Sequence, residues 1–205
     1  MELALQVFAV DDDPIVLRAI ERMLRSHSIA VEGFTSPEAF LARPPYDGVA
    51  CLLLDLRMPG LSGLDVQTAM ARKGLSMMPI IFLSAQSDVP STVRAMRGGA
   101  VDFLEKPVDE DQLLAALERA RVECVAMRQQ QRRQHDAEQR LARLTKRERE
   151  VCDLVAAGLL NKQIAHELGM SEKTVKVHRG RLTRKLDVDS VAALVRLLST
   201  RESRS

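Results

Sequence analysis

Four short apolar runs in this chain each end on a polar group. Asp11, Asp12 and Asp13 follow "LQVFAV", Asp55 follows "VACLLL", Ser84 follows "IIFL", and Lys106 follows "VDFLE". Carboxylates crowded at one place repel each other and would have raised pKa values, so the arrangement calls for a cation. All-oxygen ligands with positions left for water suit Mg²⁺. A metal, a hydroxyl and an ammonium around one free carboxylate are what a transferring phosphoryl group needs, because its equatorial oxygens carry charge. On that reading Asp55 is a nucleophile that forms an acyl phosphate. Each residue alone has a plainer explanation: an Asp after a strand caps a turn, and a lone Lys is solvated.

These residues can act together only if the elements carrying them align. Residues 5–10, 29–34, 49–54, 80–84 and 101–105 read as strands. Between them lie helical patterns at 15–25, 37–41, 64–72 and 89–97, and another begins near Glu110. Strands separated by single helices imply right-handed crossovers and a parallel sheet covered on both faces. In such sheets ligands bind at the carboxyl ends of the strands, beside a topological switch point. The α/β part is therefore expected to be a (βα)5 doubly wound parallel sheet, with the four polar groups at one mouth.

Residues 3–120 resemble the receiver domain of two-component response regulators. "AVDDDP", "LLLDLRMPG", "FLSA" and "VDFLEKP" carry the resemblance, in order and at fitting spacing. It implies that Asp11, Asp12, Asp55 and the Arg57 backbone carbonyl hold Mg²⁺, with Mn²⁺ as a substitute, and that Asp55 is the phosphoacceptor. It further implies that Ser84 contacts the phosphoryl oxygens and is the switch hydroxyl, that Phe103 is the rotating aromatic, and that Lys106 neutralises charge. A cis Lys106-Pro107 bond is implied as well. Ser84 departs from the commoner Thr and keeps the hydroxyl, whereas Phe103 departs from Tyr and loses one, so its rotamer acts through packing alone. Asp13, beyond the usual two acidic residues, reads as a helix cap before Pro14.

The second half is different. Residues 120–205 hold 19 Lys/Arg against 11 Asp/Glu, while residues 1–119 hold 11 against 17. This asymmetry suggests a nucleic-acid partner for the basic half, the plainer reading being two differently solvated surfaces. Residues 128–140, "RQQQRRQHDAEQR", are polar throughout and interrupt the apolar seam Leu113, Leu117, Ala120, Cys124 and Met127. Residues 121–143 read as a helical linker, since good helix formers dominate; a disordered linker is the alternative. From Leu144 four short helices follow. Thr145 with Glu148 forms a capping-box pattern, Gly158 and Gly169 stop helices, and Ser171 caps the third.

"LTKREREV" and "AAGLLNKQIAHELGMSEKTVKVHRGRLTRKL" resemble the LuxR-type helix-turn-helix of the NarL/FixJ class, and the whole chain resembles its FixJ-like branch. The expected DNA-binding domain is 144–200. Residues 171–186 hold six Lys/Arg and one acid on about four turns of helix. Helical spacing puts Lys176, Val177 and Gly180 on one face, flanked by Lys173, Arg181 and Arg184. Val175, His178 and Leu182 lie opposite and should pack inward. The resemblance implies that Lys176 and Val177 reach base edges. Lys162, Thr174, Arg179, Arg181 and Lys185 are candidates for phosphate contacts. Gly180 departs from the larger residue common in the family and removes one base reader.

The resemblance implies a sensor histidine kinase, double-stranded promoter DNA and a second copy of the chain as partners, with RNA polymerase a further one. The face around Val93, Met96, Ala100 and Val101 is the expected dimer surface. Aromatic residues make up 3% of the chain, too few for a single-strand stacking platform. Cys51, Cys124 and Cys152 are far apart with no metal spacing, and no apolar run approaches a membrane span. A soluble cytoplasmic protein with no membrane partner is expected, a regulator rather than an enzyme beyond its own phosphorylation and dephosphorylation. Two rivals stay open: a phosphatase or phosphotransfer enzyme on the same scaffold, and a constitutive DNA-binding protein with a vestigial receiver.

Overall fold

The computed structural model describes residues 4–73, 77–85 and 89–202, so Leu3, where the receiver-like segment is expected to begin, lies outside the described residues. The chain divides into two compact units, Met1–Arg128 and Gln129–Ser205.

The first unit contains strands β1 (Gln6–Val10), β2 (Ala30–Phe34), β3 (Ala50–Asp55), β4 (Ile80–Ser84) and β5 (Asp102–Glu105). They alternate with helices α1 (Pro14–Ser26), α2 (Pro37–Ala42), α3 (Gly63–Arg72) and α4 (Val89–Arg97), and with the first part of α5 (Glu110–Ala142). All pairings are parallel, in the order β2-β1-β3-β4-β5. The continuous apolar runs are explained by burial on both faces. Along β3, Cys51 and Leu53 pack with Leu17, Leu24, Leu113 and Leu117 on one side. Leu52 and Leu54 pack with Phe40, Val66, Met70 and Phe82 on the other. All six residues of β3 are buried. This strand includes Asp55 itself, one residue further than the apolar run suggests, because Asp55 remains in register with Leu83.

Helix α5 continues without a break through residues 128–140, which removes the disordered alternative for that stretch. Its polar turns carry their own i,i+4 contacts, among them Arg140 with Asp136 at 2.9 Å. The second unit adds α6 (Lys146–Ala156), α7 (Asn161–Glu167), α8 (Glu172–Leu186) and α9 (Val191–Glu202). The expected capping box closes α6: the Thr145 N–H donates to Glu148 Oε2 at 2.9 Å, and the Glu148 N–H to Thr145 Oγ1 at 3.3 Å. Gly169, at φ +60°, makes the tight turn between α7 and α8 that an L side chain would strain. Leu141, Val151, Ile164, Val175, Leu182, Leu186 and Leu194 form the core.

The three cysteines are free and buried. Burial pushes the Cys51 thiol far up, and that of Cys152 to about 11. No helix among the described residues is long and apolar enough to cross a membrane.

Candidate functional site

Chain order reverses between β1 and β3, and both strands deliver a carboxylate at their carboxyl ends. Asp11 follows β1, its N–H bonded to the Phe34 carbonyl at 3.1 Å. Asp55 is the last residue of β3. Only 2% of Asp11 and 4% of Asp55 is exposed. Lys106 follows β5 by one residue, its N–H donating to the Ser84 carbonyl at 2.8 Å, and the Lys106-Pro107 bond is cis. From there the ammonium reaches across the mouth and donates to Asp55 Oδ1 at 2.5 Å and Asp11 Oδ2 at 2.6 Å. The remaining carboxylate oxygens also have donors: Asp55 Oδ2 accepts from the Arg57 N–H at 2.8 Å and Asp11 Oδ1 from the Asp13 N–H at 3.0 Å.

Burial raises the Asp55 carboxyl above its ordinary range, Lys106 opposes that rise, and Asp11 adds to it. Burial lowers the Lys106 ammonium, but its bonds to Asp11 and Asp55 outweigh that, and the net shift is upward. One ammonium thus serves two buried carboxylates, and a negative charge is left over.

Ser84 ends β4 and is 2% exposed. Phe103 lies half-buried in β5 and stacks on Phe82, with ring centroids 6.4 Å apart. Asp12 is exposed beside the mouth, and Asp13 accepts the Ile15 N–H at 2.7 Å as the cap of α1. Among the described residues, no three His, Cys, Asp or Glu side chains converge as a ready metal shell. The donor set nevertheless fits a hard divalent cation: it is all oxygen and carries more negative charge than Lys106 offsets.

Gly63 is a site residue that the sequence reading missed. A Cβ there would lie 2.4 Å from the Asp55 carbonyl oxygen and 2.9 Å from the Phe82 ring, so α3 approaches the end of β3 through a position only glycine can fill. On the expected dimer face, Val93 and Met96 are exposed, whereas Ala100 is buried. The Ala100 N–H closes the turn after α4 onto the Ala95 carbonyl, which draws its side chain into the core.

In the second unit, Lys173, Thr174, Lys176, Val177, Gly180, Arg181 and Arg184 of α8 are exposed, as is Lys162 of α7. Val175 and Leu182 are buried opposite, with His178 half-buried. Two of the expected phosphate contacts point elsewhere. Arg179 donates to Asn161 Oδ1 at 2.7 Å, and Lys185 to Oε2 of the buried Glu148 at 2.6 Å. Both cations flank the stripe of Val175, Leu182 and Leu186, so packing of that stripe turns them toward neighbouring helices. The Glu148 carboxyl is lowered to about 2, chiefly by Lys185 and then by the Thr145 N–H.

Residues 7–118 match the family described as response regulator receiver domain, and residues 142–198 match bacterial regulatory proteins of the luxR family. Nodulation protein W of Bradyrhizobium diazoefficiens is 43% identical over 201 residues, covering 95% of this chain and 85% of that protein. Transcriptional regulatory protein FixJ of Rhizobium meliloti is 39% identical over 191 residues, covering 93% of each. The solved structure of response regulator StyR is 43% identical and superimposes with a TM-score of 0.83 over 96% of this chain and 98% of that one.

Proposed function

Because this chain belongs to the response regulators that join a receiver domain to a LuxR-type DNA-binding domain, we propose that it is a transcription regulator controlled by phosphorylation of Asp55. The observation that carries this reading is the Lys106 ammonium held between the buried Asp55 and Asp11 carboxylates at the carboxyl ends of adjacent strands.

In the proposed reaction a carboxylate oxygen of Asp55 attacks the phosphorus of a phosphohistidine on a sensor kinase. The O–P bond forms as the P–N bond breaks, and the electron pair leaves with the imidazole nitrogen. Lys106 stands where it neutralises a phosphoryl oxygen, and the Ser84 hydroxyl donates to another. Asp11, Asp12, Asp55 and the Arg57 carbonyl would hold Mg²⁺, or Mn²⁺ in its place, which when bound supplies further neutralisation of phosphoryl charge. Movement of Ser84 toward the modified carboxylate frees space for Phe103 to repack from its stack on Phe82. The result is a bias of a few kcal/mol toward a dimer-competent state, enough for a switch. The exposed Val93 and Met96 belong to the proposed dimer face.

A dimer presents two α8 helices to two half-sites of duplex DNA. In each, Lys176 and Val177 face base edges, and Lys162, Lys173, Thr174, Arg181 and Arg184 face the backbone, with Gly180 allowing close approach. The kinase, promoter DNA and RNA polymerase place this activity in the cytoplasm. On this reading the modified chain itself, rather than a released product, carries the signal. With an acyl-phosphate donor and Mg²⁺, wild-type protein should take up acid-labile phosphate and Asp55→Asn none; label at the wild-type level in the variant would overturn the acceptor assignment.

A further inference from the structure

The recognition helix is basic along its whole length, yet its last turn uses a cation internally. The Lys185 ammonium donates to Glu148 Oε2 at 2.6 Å and also to the Arg143 carbonyl at 3.2 Å. The Arg140 guanidinium donates to the Leu186 carbonyl at 3.2 Å. Leu186 ends α8, and its carbonyl is one of the four at a helix C-terminus that lack an intrahelical donor. Asp187 follows in the left-handed region at φ 53°, closing the helix onto the Thr183 carbonyl. The end of α8 is therefore fastened to the last turn of α5 and the first turn of α6 by two cations. Its exposed outer face carries Lys173, Lys176, Arg181 and Arg184 free of that clamp.

We propose, on the reading that α8 enters duplex DNA, that Lys185 and Arg140 are positioning residues that set the pose of the recognition helix without touching DNA. Nine residues separate Lys185 from Lys176, about 14 Å along a helix. A tilt of about 5° at the clamped end then moves Lys176 by about 1 Å, enough to spoil a hydrogen bond to a base edge. Phosphate contacts tolerate such a shift better, because they depend mainly on charge. Loss of the clamp should therefore reduce discrimination between sequences more than it reduces general affinity.

The test measures, for the full-length protein, the affinity for a selected duplex and a random duplex across a range of salt concentrations. Circular dichroism confirms that each variant is folded at the temperature used. Lys185→Met should weaken the selected duplex about tenfold, narrow its advantage over random DNA, and leave the slope of log K against log salt unchanged. Lys185→Arg should restore most of the loss. Arg184→Gln, on the outer face, should flatten the slope by about 0.9 and weaken both duplexes alike. Arg140→Met, which leaves the Glu148–Lys185 pair in place, should act like Lys185→Met and carries the test should that variant unfold. A flattened slope with equal losses on both duplexes in the clamp variants would overturn the proposal, as would unchanged affinity. Wild-type protein with no salt-dependent duplex binding would overturn the DNA-binding reading itself, and the proposal with it.

Discussion

At Asp55 the fold and the proposed chemistry pull in opposite directions. Burial, reinforced by Asp11, raises its carboxyl against the opposing pull of Lys106, so the folded chain binds a proton there more tightly than the unfolded chain. Its contribution to stability is full below the unfolded carboxyl's pKa and is lost as pH rises through the raised folded value. Asp55→Asn is neutral at every pH and keeps that contribution. Its urea midpoint at pH 7 is expected above that of the wild type, with the gap closing as pH falls through the carboxylate range. A midpoint at pH 7 below the wild type would mean that the Lys106 bond outweighs burial. A reactive carboxylate held against its own preference is the usual state of a group kept for chemistry.

Elements hold the reacting groups by close approach as much as by hydrogen bonds. Gly63→Ala places a methyl against the backbone oxygen of Asp55, and neither partner can yield easily. The substitution should cost about 2 kcal/mol in urea unfolding and slow uptake of phosphate by Asp55; full stability with full uptake would show that α3 can shift freely. In the second unit, Glu148 is lowered to about 2 by Lys185 and the Thr145 N–H. Its contribution is full above the ordinary carboxyl value and is lost as pH falls through about 2. Glu148→Gln should lower stability at pH 7 by about 1 kcal/mol, because the Lys185 end of the pair is partly open to water and screened. The difference should vanish at the acid end of a pH series. Asp55, Ser84 and Lys106 were legible in the sequence because each ends an apolar run, and a parallel sheet brings such ends together. Gly63 was not, since a glycine just before a helical run gives no sign of what its missing side chain would strike. The inward turn of Lys185 left a fainter trace. It lies three residues after Leu182 and one before Leu186, both on the packed face, and the predicted capping-box Glu148 was a carboxylate in search of a cation.

On the scale of the molecule, the acidic and basic halves correspond to input and output, and the proposed function links them through self-association. Phosphorylated protein is expected to sediment as a dimer and to bind a duplex with two half-sites at lower concentration than Asp55→Asn treated in the same way. Equal binding by both would favour a constitutive DNA-binding protein. The burial of all three thiols offers a means to follow this. Thiolate is the reactive form, and burial that raises the Cys51 and Cys152 thiols makes them slow toward alkylating dyes. Cys124 is closed off in the core as well. The native chain is therefore a nearly silent background for labelling. One cysteine introduced at an exposed site such as Met96 would take up a fluorophore selectively, and quenching between two such labels would time the association of two copies directly.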